Sequence, residues 1–158
     1  MFHRITLIGF VGQSPSMRYT PDGTPVTNFS VATRQVVSKE RVDACPNGWK
    51  ESLNGLNWEL TTWWRVTCWR KLAEATNEFL QAGSQVFVEG EIRGEAAAGN
   101  QNPRIWQGND QAGNPGQHRA SYELTARTVK FLGKRDSGGP PIGEPPPEGF
   151  EEGDSLPF

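Results

Sequence analysis

The run Thr61-Thr62-Trp63-Trp64-Arg65-Val66-Thr67-Cys68-Trp69 puts three indoles and a guanidinium within nine residues. Successive side chains of a strand point to opposite faces. As a strand, this run sets Trp64, Val66 and Cys68 on one side and Trp63, Arg65, Thr67 and Trp69 on the other. The first set suits a core or a subunit contact. The second offers π faces flanking a cation, which suits unpaired bases stacking on the rings while the guanidinium meets phosphate. Such stacking tolerates any base, because every base has a π face. Trp and Arg also anchor protein–protein contacts, so the spacing leaves two readings open: a nucleic-acid platform or a protein contact.

The aromatic–cation pairing recurs elsewhere. Arg104 stands close to Trp106 in one long connecting segment, and Trp49 and Trp58 lie in another, where binding and local loop packing are equally good readings. Arg4, Arg18, Arg34, Arg65, Arg70, Lys71 and Arg93 are the candidate phosphate partners. Taken singly, each of them except Arg65 is more readily a solvated surface charge. Phosphate contacts release counterions, so binding of this kind weakens with salt, at a slope of about −0.7 per phosphate on a single strand.

Other chemistries find no residues to use. Cys45 and Cys68, with His3 and His118 far apart, have no zinc-ligand spacing and read as one loop thiol and one buried thiol. The sequence contains no G-x-x-x-x-G-K-[ST] or G-x-S-x-G motif, and no carboxylate–His grouping that one site would hold. The expectation is a protein without catalysis, cofactor or metal.

The elements that must position these residues read as β. Residues 4–11 form a first strand, closed by Gly12 and a turn-rich stretch through Pro25. A second strand spans about residues 26–37 and a third about 60–69, both with apolar residues at alternate positions. The period then changes. Leu72, Thr76, Phe79 and Leu80 fall at i, i+4, i+7 and i+8, one stripe of a short helix, with Gly83 where a C-terminal cap belongs. Residues 84–93 make a fourth strand and about 120–132 a fifth. Five strands with one helix between the third and fourth is the element order of an all-β OB-fold, a Greek-key barrel. Two connections, 38–59 and 94–119, are too long to be mere turns, and the second is rich in Gly, Asn, Gln and Pro. Long loops in compact domains usually bind something or are disordered, although an insertion costs little loop entropy.

The chain's 158 residues carry 16 Lys+Arg and 18 Asp+Glu, a formal net charge of −2, and 35% of them are hydrophobic, enough for one modest core. No apolar run approaches the ~18 residues of a spanning helix. Residues 1–5 lack the features of a secretory signal, so the expected location is cytoplasmic, with no membrane partner. The average charge hides a division. Residues 1–135 hold all 16 bases and 12 acids, net +4, whereas residues 136–158 hold six acids and no base. That last stretch also contains six of the 12 prolines and five glycines. It has too little apolar surface to offset its ordering entropy. A mildly basic domain, 1–135, followed by a disordered acidic tail, 136–158, is expected.

Several runs together resemble a known family. They are Gly12-Gln13-x-Pro15-x-x-Arg18-Tyr19-x-Pro21-x-Gly23, Trp63-x-Arg65-Val66, Lys71-Leu72-Ala73-Glu74, Gly83-Ser84-Gln85-Val86-x-Val88-Glu89-Gly90-x-Ile92-Arg93, and the closing Asp154-Ser155-Leu156-Pro157-Phe158. The chain is similar to bacterial single-stranded DNA-binding proteins of the homotetrameric OB-fold type, over everything but the two long loops and the middle of the tail. The resemblance implies a nucleoid-associated homotetramer that binds single-stranded DNA without sequence preference and protects unpaired strands in replication, repair and recombination. Four bodies would present about +16 to one wrapped strand. It also implies stacking by Trp63, by Trp69 at a position usually filled by Phe, and by Trp106 in the loop after strand four. A further aromatic that the family often has late in strand two falls near Val36-Val37, a departure for which Trp49 or Trp58 is the available substitute. Trp64 stands where close relatives often carry His at a subunit contact.

The tail's tip has its own implied role. Glu151, Glu152 and Asp154 followed by Leu156, Pro157 and Phe158 suit a basic-rimmed hydrophobic pocket on replication and repair proteins, a form of terminal-carboxylate capture. Without the resemblance the same stretch reads as a solubilising acidic end. An acidic tail also competes weakly with DNA for its own basic groove. An RNA-binding cold-shock-like barrel is the alternative within nucleic-acid binding. It is disfavoured because that class is shorter and lacks the helix and the acidic Pro-Phe terminus.

Overall fold

In the computed structural model the described residues are 3–42, 45, 49–92, 104–109 and 115–134. The expected tail, its tip residues Asp154, Leu156, Pro157 and Phe158, and Arg93 lie outside them. In chain order the elements are β1 (Ile5–Val11), β2 (Ser16–Tyr19), β3 (Pro25–Ser38), β4 (Lys50–Glu51), β5 (Asn57–Trp69), α1 (Lys71–Phe79), β6 (Ser84–Ile92), β7 (Arg104–Asn109) and β8 (Pro115–Lys134). The five expected strands are β1, β3, β5, β6 and β8. They pair in the cycle β3-β1-β6-β8-β5, which closes where β5 returns to β3. All of these pairings are antiparallel except β5 with β8, which run parallel where residues 64–67 face 122–125. A closed five-strand barrel with one helix between its third and fourth strands is the OB-fold architecture that the element order predicts.

Period-2 alternation fills the barrel. Leu7 and Val11 from β1, Phe29 and Val31 from β3, Val66 and Cys68 from β5, Val86 and Val88 from β6, and Leu124 from β8 are buried together. Helix α1 packs against β3 and β5, with Ala73 and Thr76 buried. The Thr27 hydroxyl donates to the Ala73 carbonyl at 2.7 Å, which ties the helix to β3. At Gly90 a Cβ would run into the Thr125 carbonyl, so β6 approaches β8 there as only glycine permits.

Four details differ from the sequence reading. The turn-rich stretch before residue 25 contains β2, which pairs with β3. Neither long connection is a structureless loop. Segment 38–59 contains β4 and the start of β5, and segment 94–119 contains β7 and the first residues of β8, which pair as a hairpin. The helix buries Leu72, Ala73, Thr76 and Leu80, at least in part, but not Phe79, which is 61% exposed with its ring 6.2 Å from that of Phe131. Gly83 is not the helix cap. The helix ends at Leu80 in extended geometry, and Gly83 (φ 82°) takes the left-handed position in the next turn, where the Ser84 N–H donates to the Gln81 carbonyl.

Candidate nucleic-acid interface

Strand β5 lies antiparallel to β3 along its whole length, and that register decides which side chains share the outer face. The opposed pairs there are Asn28–Thr67, Ser30–Arg65, Ala32–Trp63 and Arg34–Thr61. On the inner face Val66 and Cys68 are fully buried, and Trp64 packs half-buried against the core. The two faces expected for residues 61–69 are therefore those of the barrel. Trp64 Nε1 donates to Thr33 Oγ1 at 3.0 Å, and its ring lies 5.0 Å from that of Tyr122.

Trp63 and Arg65 stand two residues apart on the outer face, about 7 Å along the strand. Trp63 is half-buried, its benzo edge above Gly12. The Arg65 guanidinium lies 3.7 Å from the Glu123 carboxylate on β8, longer than a hydrogen bond. Sequence reasoning missed Glu123. Alternation around Leu124 places it on the outer face, but nothing local says that β8 runs beside β5. Thr67 Oγ1 donates to Asn28 Oδ1 at 2.9 Å, which fixes the next row.

Trp69 ends β5 and is 41% exposed. Its partner in β3 is Val26, whose partner in β2 is Arg18, so Trp69 and Arg18 end one row across three strands. Tyr19, 63% exposed, follows Arg18. The only sequence sign of it is an Arg-Tyr pair between turn residues. Arg70 adopts φ 55°, a backbone region that disfavours a side chain. Its N–H donates to the Pro25 carbonyl at 2.8 Å, and Lys71 then opens α1. One end of the β2–β3–β5 surface thus gathers Arg18, Tyr19, Trp69, Arg70 and Lys71. The Thr20 and Thr24 hydroxyls donate to Asp22 and brace the turn between β2 and β3. The same bonds hold the Asp22 carboxyl below its ordinary pKa.

Other candidates are spread more widely. Arg34 reaches the Glu59 carboxylate at 3.5 Å, and Arg4 pairs with Glu89 of β6 at 3.0 Å, away from the β5 row. Trp106 belongs to β7, its backbone opposite Arg119 in β8. Trp58, near the start of β5, is engaged with the connection before it: its Nε1 donates to the Val42 carbonyl at 3.0 Å, and the Lys39 ammonium sits 4.4 Å from its ring centroid. Trp49 is half-buried, and its carbonyl accepts from the Cys45 thiol. Burial pushes the Cys68 thiol up to about 12, so it stays neutral.

Among the described residues no group of His, Cys, Asp and Glu could hold a metal ion, and no helix is long and apolar enough to cross a membrane. What the outer face of β5 and its neighbours can do is offer aromatic planes and cations to a flexible polyanion. Known proteins point the same way. The profile of the Single-strand binding protein family matches residues 2–132. The single-stranded DNA-binding proteins of Neisseria meningitidis serogroup A and serogroup B are each 35% identical to the chain over 144 residues, which is 90% of this chain and 67% of the relative. On that match the chain belongs to the single-strand binding protein family.

Proposed function

We propose that this protein binds single-stranded DNA without sequence preference and protects unpaired strands during replication, repair and recombination. The observation that carries the reading is the outward row of Trp63, Arg65 and Trp69 on β5, in a chain of this family. Bases stack on Trp63 and Trp69, with Trp106 as a further plane. Phosphates meet Arg65, Arg18, Arg34 and Lys71, with Arg4 at the periphery and Arg93 as a further candidate cation. Base–aromatic stacking contributes roughly 1–3 kcal/mol per base in general and reads no sequence.

The protein acts as a homotetramer on this reading. Ile8, 58% exposed on β1, lies opposite Phe87 of β6, and Phe131 and Leu132 on β8 are also exposed. Apolar side chains away from the β5 row suit contact with further copies of the chain. The acidic stretch ending Asp154, Leu156, Pro157 and Phe158 recruits replication and repair enzymes.

Tryptophan fluorescence titrated with oligo(dT) at rising salt tests the reading. Saturable quenching, with affinity falling as salt rises, is the expected result. An unquenched signal, or an affinity indifferent to salt, refutes it. Sedimentation equilibrium tests the assembly, with four chain masses expected and a monomer refuting it.

A further inference from the structure

We infer that Gly12 is the positioning residue of the interface: its bare α-carbon is the seat that sets the height and tilt of the Trp63 ring. The inference rests on the proposed stacking role of Trp63 and adds what holds that ring in place. A Cβ built on Gly12 would stand 2.5 Å from Cζ3 and 2.9 Å from Cη2 of Trp63, and 2.8 Å from Ser30 Oγ. Real carbon contacts do not approach that closely, so any side chain at position 12 displaces the indole. The obstruction lies at the outer, benzo edge of the ring. A rigid bicycle cannot bend out of the way and has to rotate as a whole about its χ angles.

The backbone at Gly12 asks for no glycine. Its φ is not left-handed, and its N–H donates to the Ser30 carbonyl at 3.0 Å, a bond that alanine keeps. Space under the indole is therefore the reason for glycine here, unlike Gly83, where the conformation itself requires it. The rest of the seat is small as well. Ala32 is the direct cross-strand partner of Trp63, and Ser30 lies one row along, its buried hydroxyl beside Gly12. Gly12, just after β1, lies under the ring, and its neighbours on β3 are the small Ser30 and Ala32. A ring already held in its stacking pose loses little freedom when a base arrives.

The test is a set of binding titrations with a dye-labelled oligo(dT), read by anisotropy. Gly12→Ala, Trp63→Ala, Trp63→Phe and the doubles of Gly12→Ala with each Trp63 variant are compared, with a melting curve for every protein. Trp63→Ala is expected to weaken binding about 5- to 150-fold, the range for one stacked base. Gly12→Ala alone should approach that loss, with the salt slope unchanged because no phosphate contact is touched. In the Trp63→Ala and Trp63→Phe backgrounds Gly12→Ala should add almost nothing, since Cζ3 and Cη2 are gone.

If Trp63→Ala binds like wild type, the stacking reading itself falls. If Trp63→Ala weakens binding while Gly12→Ala does not, stacking stands and the seat is refuted. An equal further loss on adding Gly12→Ala to Trp63→Ala also refutes it, because the glycine then acts through the barrel. Should Gly12→Ala alone fail to fold, the double with Trp63→Phe decides. Folding restored by the smaller ring supports the seat, and no restoration overturns it.

Discussion

Replacing Glu123 with Gln should make the protein bind single-stranded DNA more tightly and with a steeper salt dependence. The Glu123 carboxylate lies 3.7 Å from the Arg65 guanidinium, and both side chains are only partly exposed. Pairs of this kind contribute about 0–1 kcal/mol to stability, so Glu123→Gln leaves the fold nearly as stable as before. Its effect on binding is larger. A phosphate drawn to Arg65 comes within about 7 Å of the carboxylate, and two such charges repel by about 0.6 kcal/mol even at water's dielectric constant. Relief of that repulsion is worth roughly threefold in affinity per engaged Arg65, and more where water is excluded. One more effective phosphate contact steepens the salt slope by about 0.7, which is about 2.5-fold extra loss between about 50 and 200 mM salt. Anisotropy of a labelled oligo(dT) across that range measures both. Arg65→Ala is the control: it should flatten the slope by about 0.7 and abolish any gain from Glu123→Gln. Unchanged affinity and slope in a folded Glu123→Gln protein would mean that Arg65 is not a phosphate partner restrained by its neighbour.

Three further outcomes are expected. A thiol reagent at mildly alkaline pH should modify exposed Cys45 quickly and Cys68 only on unfolding. Because the folded Cys68 pKa is raised from 9.0 to about 12, stability should fall as pH climbs through that interval, and equally rapid labelling of both thiols would contradict its burial. Arg70→Gly should raise Tm by up to about 6 °C, because the left-handed cost of roughly 1–2 kcal/mol is offset only in part by glycine's extra unfolded-state freedom of about 0.5–1 kcal/mol; a fall in Tm would show that Arg70 is not strained. Deleting residues 150–158 should leave oligo(dT) affinity equal or slightly higher and abolish pull-down of replication and repair enzymes, whereas lost DNA binding would overturn the role proposed for the tail.

Most of the barrel was legible because its strands bury one face each. Val66 and Cys68 between Trp63, Arg65 and Trp69 announce both the strand and its orientation, and the structure keeps that assignment. The hairpins within the two long connections were not legible. Arg104–Asn109 and the first residues of β8 are Gly-, Asn- and Gln-rich and lack apolar alternation, and their pairing arises from the partner strand rather than from a local pattern. Phe79 misled because a helical stripe is broad, and a ring at its edge can turn toward Phe131 instead of the core, while the small Ala73 fills the central position. In the candidate interface the β5 row could be read directly. The Arg65–Glu123 pair and the Arg18–Trp69 row could not, since each joins strands distant in sequence.

Chain connectivity makes the parallel join between β5 and β8 one of the late events in assembly, with the still more distant pairing of β1 and β6. Strands β3 and β5 are separated only by the segment that carries β4 and can zip together as a long hairpin, whereas residues 64–67 must wait for residues 122–125. Contacts between such distant segments form only after a large loop-closure entropy has been met. Until then β5 presents unpaired N–H and C=O groups along one edge, an invitation to pair with another chain. The join that seals this edge is also where Arg65 meets Glu123. A newly made chain therefore completes its outward row at the moment it loses its sticky edge, and does not present the finished surface while still half-folded.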